Sequence, residues 1–386
     1  MAENFNREFQ SLKLSSNNDN SMKNKKVRNY GIDLIRILAM YGIIFHHLYY
    51  NKISLVKYQN YKELKLFLIL LFWHNNGFAF ISGYIGYKTH KYSNLLYLWV
   101  CVSFYSVILY SLYLKYNPLV VGNDKLYHNF FPIIYQRYWF FTKYFGMYLY
   151  LPIINKGIAY LNKSDLKICI ICIINILVFW HDIMNIKLDV FQFNKGFSII
   201  WLLTFYITGS YFGKYKIYYL GKKKYIFCLI NFSIFLFFSL LYYKINKYKR
   251  NDYKENKLDL ILKNLLTEYY DSNLKVIQSI SIILLLLQIN YNDKLGKIIS
   301  FVGAKTFAVY LIHYNKYIQK NILIHLFDNE KNNISLFEVY KVFLTKCLFI
   351  FIICITIDYF RNLLFILLKI RKLCVFLEKK IYIILN

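Results

Sequence analysis

Apolar runs of about 20 residues, separated by short polar and basic stretches, recur along nearly the whole chain. A helix needs about 20 residues to cross the ~30 Å hydrocarbon core of a bilayer. By that measure ten spans are expected, at 30–50, 66–86, 95–114, 138–155, 166–183, 196–213, 225–243, 273–290, 298–315 and 338–358. An even number puts both termini on one side. The fold class expected is therefore all-α: a polytopic integral membrane helical bundle of about ten transmembrane helices. It divides into a polar, basic N-terminal stretch (1–28), one transmembrane domain (29–362) and a basic C-terminal tail (363–386).

Composition agrees with the pattern. The 386 residues are 58% hydrophobic and 20% aromatic, which excludes an ordinary soluble domain. Met1 to Lys26 is rich in Asn, Ser and Lys and is expected to be disordered. No short apolar run with a small-residue cleavage site follows the first basic cluster, so the first helix is expected to stay as an anchor. A net charge of +29 would suit a nucleic-acid partner if the basic residues clustered. They are instead dispersed between apolar runs, as topology signals are. Lys and Arg favour the set of loops that contains Lys88, Lys91, Lys156, Lys163 and Lys222–Lys224, which predicts a cell-membrane protein with both termini cytoplasmic. The long loop from Lys244 to Lys275 then lies outside and mixes its basic residues with Asp252, Glu255, Asp259, Glu268 and Asp271.

The chemistry concentrates in the first span, YGIDLIRILAMYGIIFHHLYY. Ionisable groups inside hydrocarbon are expensive and mark working sites. Arg36 and His47 are eleven residues apart. At ~100° per residue this is three turns plus roughly 20°, so both lie on one helix face about 16 Å apart. Asp33 precedes Arg36 by one turn and pairs with it on the same side. His46 falls roughly 80° off that face, which assigns it to packing or to support of the site. Arg36 has a competing reading as a side chain that snorkels to the interface.

Elsewhere the candidates are weaker. Tyr310 and His313 share a face one turn apart. His74, Asn75 and Asn76 form a polar run inside the second span, best read as an interhelical hydrogen-bond network. Ser82 and Gly83 suit close helix approach. Of the seven cysteines, Cys169 and Cys172 form a CxxC within an apolar run without a second pair, which reads as packing. No metal ligand set and no glycine-rich phosphate loop is visible.

Six segments in order resemble the acyltransferase type 3 family, multi-pass membrane enzymes that move acyl groups from acyl-CoA to extracytoplasmic glycans. Asp33, Arg36 and His47 are similar to the family's opening pattern of acid, Arg and a His eleven residues on. Phe80 to Tyr84 (FISGY) resembles a helix end of the family, and Tyr138 to Phe140 with Leu149 to Asn155 resembles another span. Gly196 to Tyr215 resembles a third, and Gly303 to His313 (GAKTFAVYLIH) a fourth, while Asp358 to Arg361 resembles the last helix end. The likeness covers about residues 29–362 and is closest to the capsule or exopolysaccharide branch.

The resemblance implies a membrane O-acyltransferase that moves an acyl group, expected to be acetyl, to a hydroxyl of a surface or lipid-linked glycan. It implies no tightly bound cofactor, with acyl-CoA as co-substrate and a glycan and the bilayer as partners. An imidazole suits removal of the hydroxyl proton, so His47 takes the role of base, and an acyl-histidine intermediate stays open beside direct transfer. Arg36 takes the donor phosphates or the developing charge. Many members carry an Arg-x-x-Arg pair after the SGY helix; here Lys88, His90 and Lys91 occupy that loop, so Lys88 and Lys91 are the expected donor-binding cations. Trp139 and Tyr144 are expected along the sugar path, and Tyr310 and His313 in the pocket. The competing class is an exporter or polymerase of lipid-linked glycans on a similar bundle.

Overall fold

The computed structural model describes residues 28–50, 64–116, 126–179, 192, 194–216, 223–248, 270, 272–326 and 335–385. The expected disordered stretch, most of the Lys244–Lys275 loop, and Lys222 fall outside them. Among the described residues every regular element is helical. In chain order they are α1 (Tyr30–Tyr50), α2 (Leu64–Leu71), α3 (His74–Gly86), α4 (Tyr92–Tyr116), α5 (Leu126–Phe130), α6 (Trp139–Tyr160) and α7 (Lys163–Ile174). There follow α8 (Ile199–Tyr215), α9 (Lys224–Tyr248), α10 (Asn273–Leu287), α11 (Asp293–Gly303), α12 (Thr306–His313), α13 (Lys316–Asn321), α14 (Leu336–Leu367) and α15 (Ile370–Leu385). The chain is thus an all-α polytopic membrane protein. Six stretches are long and apolar enough to cross a bilayer: α1, α2 with α3, α4, α9 as far as Leu241, α11 with α12, and α14.

Among the described residues each expected span is occupied by helix, but three differ in shape. The second is broken at Phe72–Trp73, so that His74 opens a new helix. The 298–315 span is also broken, at Ala304–Lys305, and its first half starts earlier, at Asp293. There the side chain of Asn292 accepts a hydrogen bond from the Leu295 amide at 2.9 Å, an N-cap that fixes the helix start ahead of the apolar run. The last span runs on to Leu367 through Asp358 and Arg361, and the expected basic tail is the helix α15, packed along α4. Ser335 starts α14 with a reciprocal capping box to Glu338. Lys275, grouped with the outer loop by sequence, belongs to the first turn of α10 and is 1% exposed. Its ammonium sits 4.2 Å from the centre of the Phe72 ring, where the ring's quadrupole partly offsets burial of the charge.

Helix α1 is the hub. It packs against α2, α3, α10, α11, α12 and α14. The tightest crossing in the bundle joins α3 and α8. Gly83 lies against the Tyr206 backbone, Gly209 against that of Phe80 and Gly213 against that of Tyr84. A side chain at any of these glycines would meet backbone, so this close approach depends on their having none. The same crossing is tied by Ser210, whose hydroxyl lies 3.2 Å from the Gly83 carbonyl. Gly303 performs a similar service for α11, bringing the α11–α12 break down onto Asp33 of α1. These contacts hold the broken helices α3 and α12 beside the polar face of α1.

Candidate functional site

The polar face of α1 opens into a cavity of ≈ 370 Å³, at the small end of the ~300–1,000 Å³ typical of small-ligand sites. Arg36 lines it at one end and His46, His47 and His74 at the other. Between them the wall is largely apolar, formed by residues such as Met40, Ile43, Phe78, Phe141 and Phe307. The eleven-residue spacing thus becomes one continuous space.

At the Arg36 end, Asp33 is 1% exposed and holds two guanidinium groups. Its Oδ1 accepts from Arg36 Nη1 at 2.8 Å, and its Oδ2 from Arg28 Nε at 2.9 Å and Nη2 at 2.8 Å. The pairing of Asp33 with Arg36 follows the one-turn spacing; the second arginine does not announce itself in sequence, since Arg28 precedes the helix. Arg36 keeps about 30% of its side chain exposed and faces the cavity. A buried carboxylate that accepts from two arginines fixes the Arg36 guanidinium in place while leaving its remaining N–H groups for an anion.

At the other end, two imidazoles meet. His47 Nδ1 lies 2.9 Å from His313 Nε2, and His313 Nδ1 lies 2.6 Å from the Val309 carbonyl. A carbonyl only accepts, so with neutral rings His313 carries its proton on Nδ1 and accepts at Nε2. His47 must then donate from Nδ1, which leaves its Nε2 as a bare lone pair. The pattern assigns the tautomer of the first ring through the second. His313 is 1% exposed and lies behind His47 rather than on the cavity wall.

His74 and Tyr310 also face this space. His74 Nδ1 lies 3.1 Å from the side-chain oxygen of Asn75, so its Nε2 is an acceptor, buried and without a protein partner. The Tyr310 hydroxyl is likewise buried on the wall, and its O–H has no acceptor. Asn76, in contrast, is used up in packing. It accepts from Trp201 Nε1 at 2.9 Å and donates to Ser279 Oγ at 3.0 Å. The expected interhelical network is therefore present at Asn76, while His74 and Asn75 contribute to the cavity.

His46 differs from its sequence reading. Although roughly 80° from the Arg36–His47 face, it lines the same cavity, its ring 5.5 Å from that of His74. The cavity wraps around α1, so a helical-wheel angle does not exclude it. Trp139 and Tyr144 both lie on the wall, Trp139 against the Phe197 ring at 4.6 Å. Lys88 and Lys91 do not reach this cavity. Lys88 lines a separate recess of ≈ 760 Å³ with His90, Lys156, Lys214 and Tyr382, and the Lys91 side chain is exposed and on neither wall. In that recess Lys214 is committed to helix-end carbonyls, with Ile158 at 2.6 Å and Leu161 at 2.8 Å.

Among the described residues no group of three or more His, Cys, Asp or Glu is arranged to hold a metal ion. No curated protein and no solved structure matches the chain. The family model described as an acyltransferase domain matches residues 29–366. That match spans the cavity, the paired His47 and His313, Arg36 and the helices that hold them, and the chain is accordingly a membrane member of the acyltransferase type 3 family.

Proposed function

We propose that the protein transfers an acyl group, acetyl in the first instance, from acyl-CoA to a hydroxyl of a cell-surface or lipid-linked glycan. The observation that carries this reading is the lone pair of His47 Nε2 on the cavity wall, held in that tautomer by His313. Acyl transfer to an alcohol needs a base for the hydroxyl proton and a donor for the charge that develops on the carbonyl oxygen. His47 Nε2 takes the proton as the sugar oxygen attacks the thioester carbon. The imidazolium so formed keeps its Nδ1 hydrogen bond to the neutral acceptor on His313. Collapse of the tetrahedral adduct breaks the C–S bond, and the same imidazolium protonates the departing thiolate. Attack by His47 itself, to give an acyl-histidine, uses the same lone pair.

Tyr310 supports the second requirement, because its hydroxyl is a buried donor without an acceptor until an oxyanion forms beside it. His74 Nε2 offers an acceptor for the incoming alcohol. Arg36, braced by Asp33, serves the anionic donor from the end of the cavity that the Lys/Arg distribution assigns to the cytoplasm. The apolar middle accommodates the acyl and pantetheine portions and excludes competing water. A glycan conduit, the other class considered, has no use for a histidine whose base tautomer is fixed by a second histidine. Purified protein supplied with acetyl-CoA and surface glycan should release free CoA and leave an alkali-labile ester on the sugar. Glycan movement without CoA release, across several donors, would replace the acyltransferase reading with the exporter.

A further inference from the structure

A second cavity of ≈ 370 Å³ lies on the opposite side of the α11–α12 break and shares Leu98, Ala304 and Phe307 with the wall of the first. Its lining holds three cations, Lys305, Arg361 and Arg371, and one carboxylate, Asp358. Asp358 is spoken for. Its Oδ1 accepts from Arg361 Nη2 at 2.6 Å, Arg361 Nε at 2.9 Å and the Tyr105 hydroxyl at 2.9 Å. Arg361 completes its own set with the Tyr97 hydroxyl at 3.0 Å. These bonds to Asp358 all fall on Oδ1, so Oδ2 is left to face Lys305.

The other two cations have no carboxylate of their own, and Lys305 shares Asp358 with Arg361. Lys305 is 6% exposed, and its ammonium stands 3.7 Å from Asp358 Oδ2, beyond hydrogen-bond distance, between the Phe301 and Tyr359 rings. Arg371, from the first turn of α15, reaches over the Tyr97 ring and donates to the Asn94 side chain at 3.3 Å. Among the described residues no second carboxylate lines the space. A buried ammonium whose only carboxylate is shared with an arginine is incompletely compensated, and here empty volume adjoins it. Both arrangements suit an incoming anion with several oxygens. The level also fits, because Gly303, two residues before Lys305, rests on Asp33, the partner of Arg36.

The geometry points to a phosphate-binding site in this second cavity, with Lys305 and Arg371 as its ligands and the pyrophosphate of the thioester donor as its occupant. Anchored there, the donor's pantetheine arm passes the shared wall at Ala304 and Phe307 to reach His47. This assignment rests on the acyl-CoA reading above. An acidic phospholipid headgroup presents the same phosphate chemistry, so the experiment separates the two sources.

Full-length protein in detergent would be titrated with CoA and with inorganic pyrophosphate, and its co-purified lipid identified by mass spectrometry. The variants are Lys305→Met, which leaves the Asp358–Arg361 pair intact, and Arg371→Gln, at an exposed position. Losing one charge-assisted contact should weaken CoA and pyrophosphate binding about tenfold or more in Lys305→Met and severalfold in Arg371→Gln, with unchanged melting temperature. Retention of phosphatidylglycerol by the parent and its loss in Lys305→Met, without CoA binding, would keep the phosphate site but assign it to lipid. Wild-type affinity for CoA, pyrophosphate and lipid in both variants would overturn the site. Continued His47-dependent CoA release in that case would leave the proposed activity standing.

Discussion

Removing His313 tests the two-histidine relay without touching the base itself. In His313→Ala the proton on His47 Nδ1 loses its acceptor at 2.9 Å, and nothing fixes which nitrogen of His47 carries the lone pair. The larger loss comes in the transition state, when His47 is cationic and its hydrogen bond to His313 becomes charge-assisted. Such a bond is worth about 1.5–3 kcal/mol. At about 1.4 kcal/mol per factor of ten, kcat should fall roughly 10- to 150-fold, with little change in KM for acyl-CoA. His313→Gln, which can return an acceptor oxygen, should recover part of the loss. Because His313 is buried and also bonds the Val309 carbonyl, membrane yield and melting temperature must be followed alongside thiol release from acetyl-CoA. The sharper assay is the double variant. If His313 acts only through His47, His47→Ala with His313→Ala should be no slower than His47→Ala alone. Undiminished rates in His313→Ala, or a double variant whose loss is the product of the two single losses, would refute the relay.

Four further outcomes are expected. His47→Ala should lower acyl transfer by about 10² or more, and His46→Ala, which shares the cavity but not the relay, by about tenfold or less; equal losses would assign the base to neither histidine specifically. Tyr310→Phe removes only a hydroxyl whose O–H has no acceptor, so it should leave the melting temperature nearly unchanged while lowering kcat by about 10² if that hydroxyl stabilises the oxyanion; full activity would retire this role. Arg36→Lys keeps the charge but not the fork held by Asp33, and should weaken acetyl-CoA binding about tenfold, whereas wild-type affinity would make Arg36 an interfacial anchor. A cysteine at Thr89 should resist an impermeant thiol reagent on intact cells and one at Ile134 should react; the reverse pattern would invert the orientation derived from the loop charges.

Much of this site was legible because an α-helix preserves angle. Asp33, Arg36 and His47 lie on one face by counting alone, and the cavity joins the last two. What counting could not supply is what stands opposite. His47 and His313 are 266 residues apart, and their contact is set by the packing of α12 on α1, which no local periodicity encodes. His46 was displaced from the site by an argument that treats a helix as having one inward face. Helix α1 is surrounded by six others, so its neighbouring faces also point inward. The break at Phe72–Trp73 leaves no mark in an unbroken apolar run, yet it turns His74 toward the same cavity.

The second cavity shows the same limit from the side of charge. Lys88 and Lys91 were the natural donor cations because they stand in the loop where the family often has arginines. Both are exposed at the end of the bundle, and Lys88 opens on a recess away from His47. Lys305, Arg361 and Arg371 carry no sequence pattern that sets them apart from the chain's many other basic residues. Only the extension of α14 past Asp358 and the return of α15 along α4 bring them to one space. A cation counted as a topology signal and a cation that binds a ligand have the same sequence signature. What distinguishes them is whether the fold also provides a carboxylate. At Arg361 it does, at 2.6 Å; Lys305 has only the second oxygen of that same carboxylate, 3.7 Å away. It is that mismatch, rather than the overall basic charge, that locates the anion.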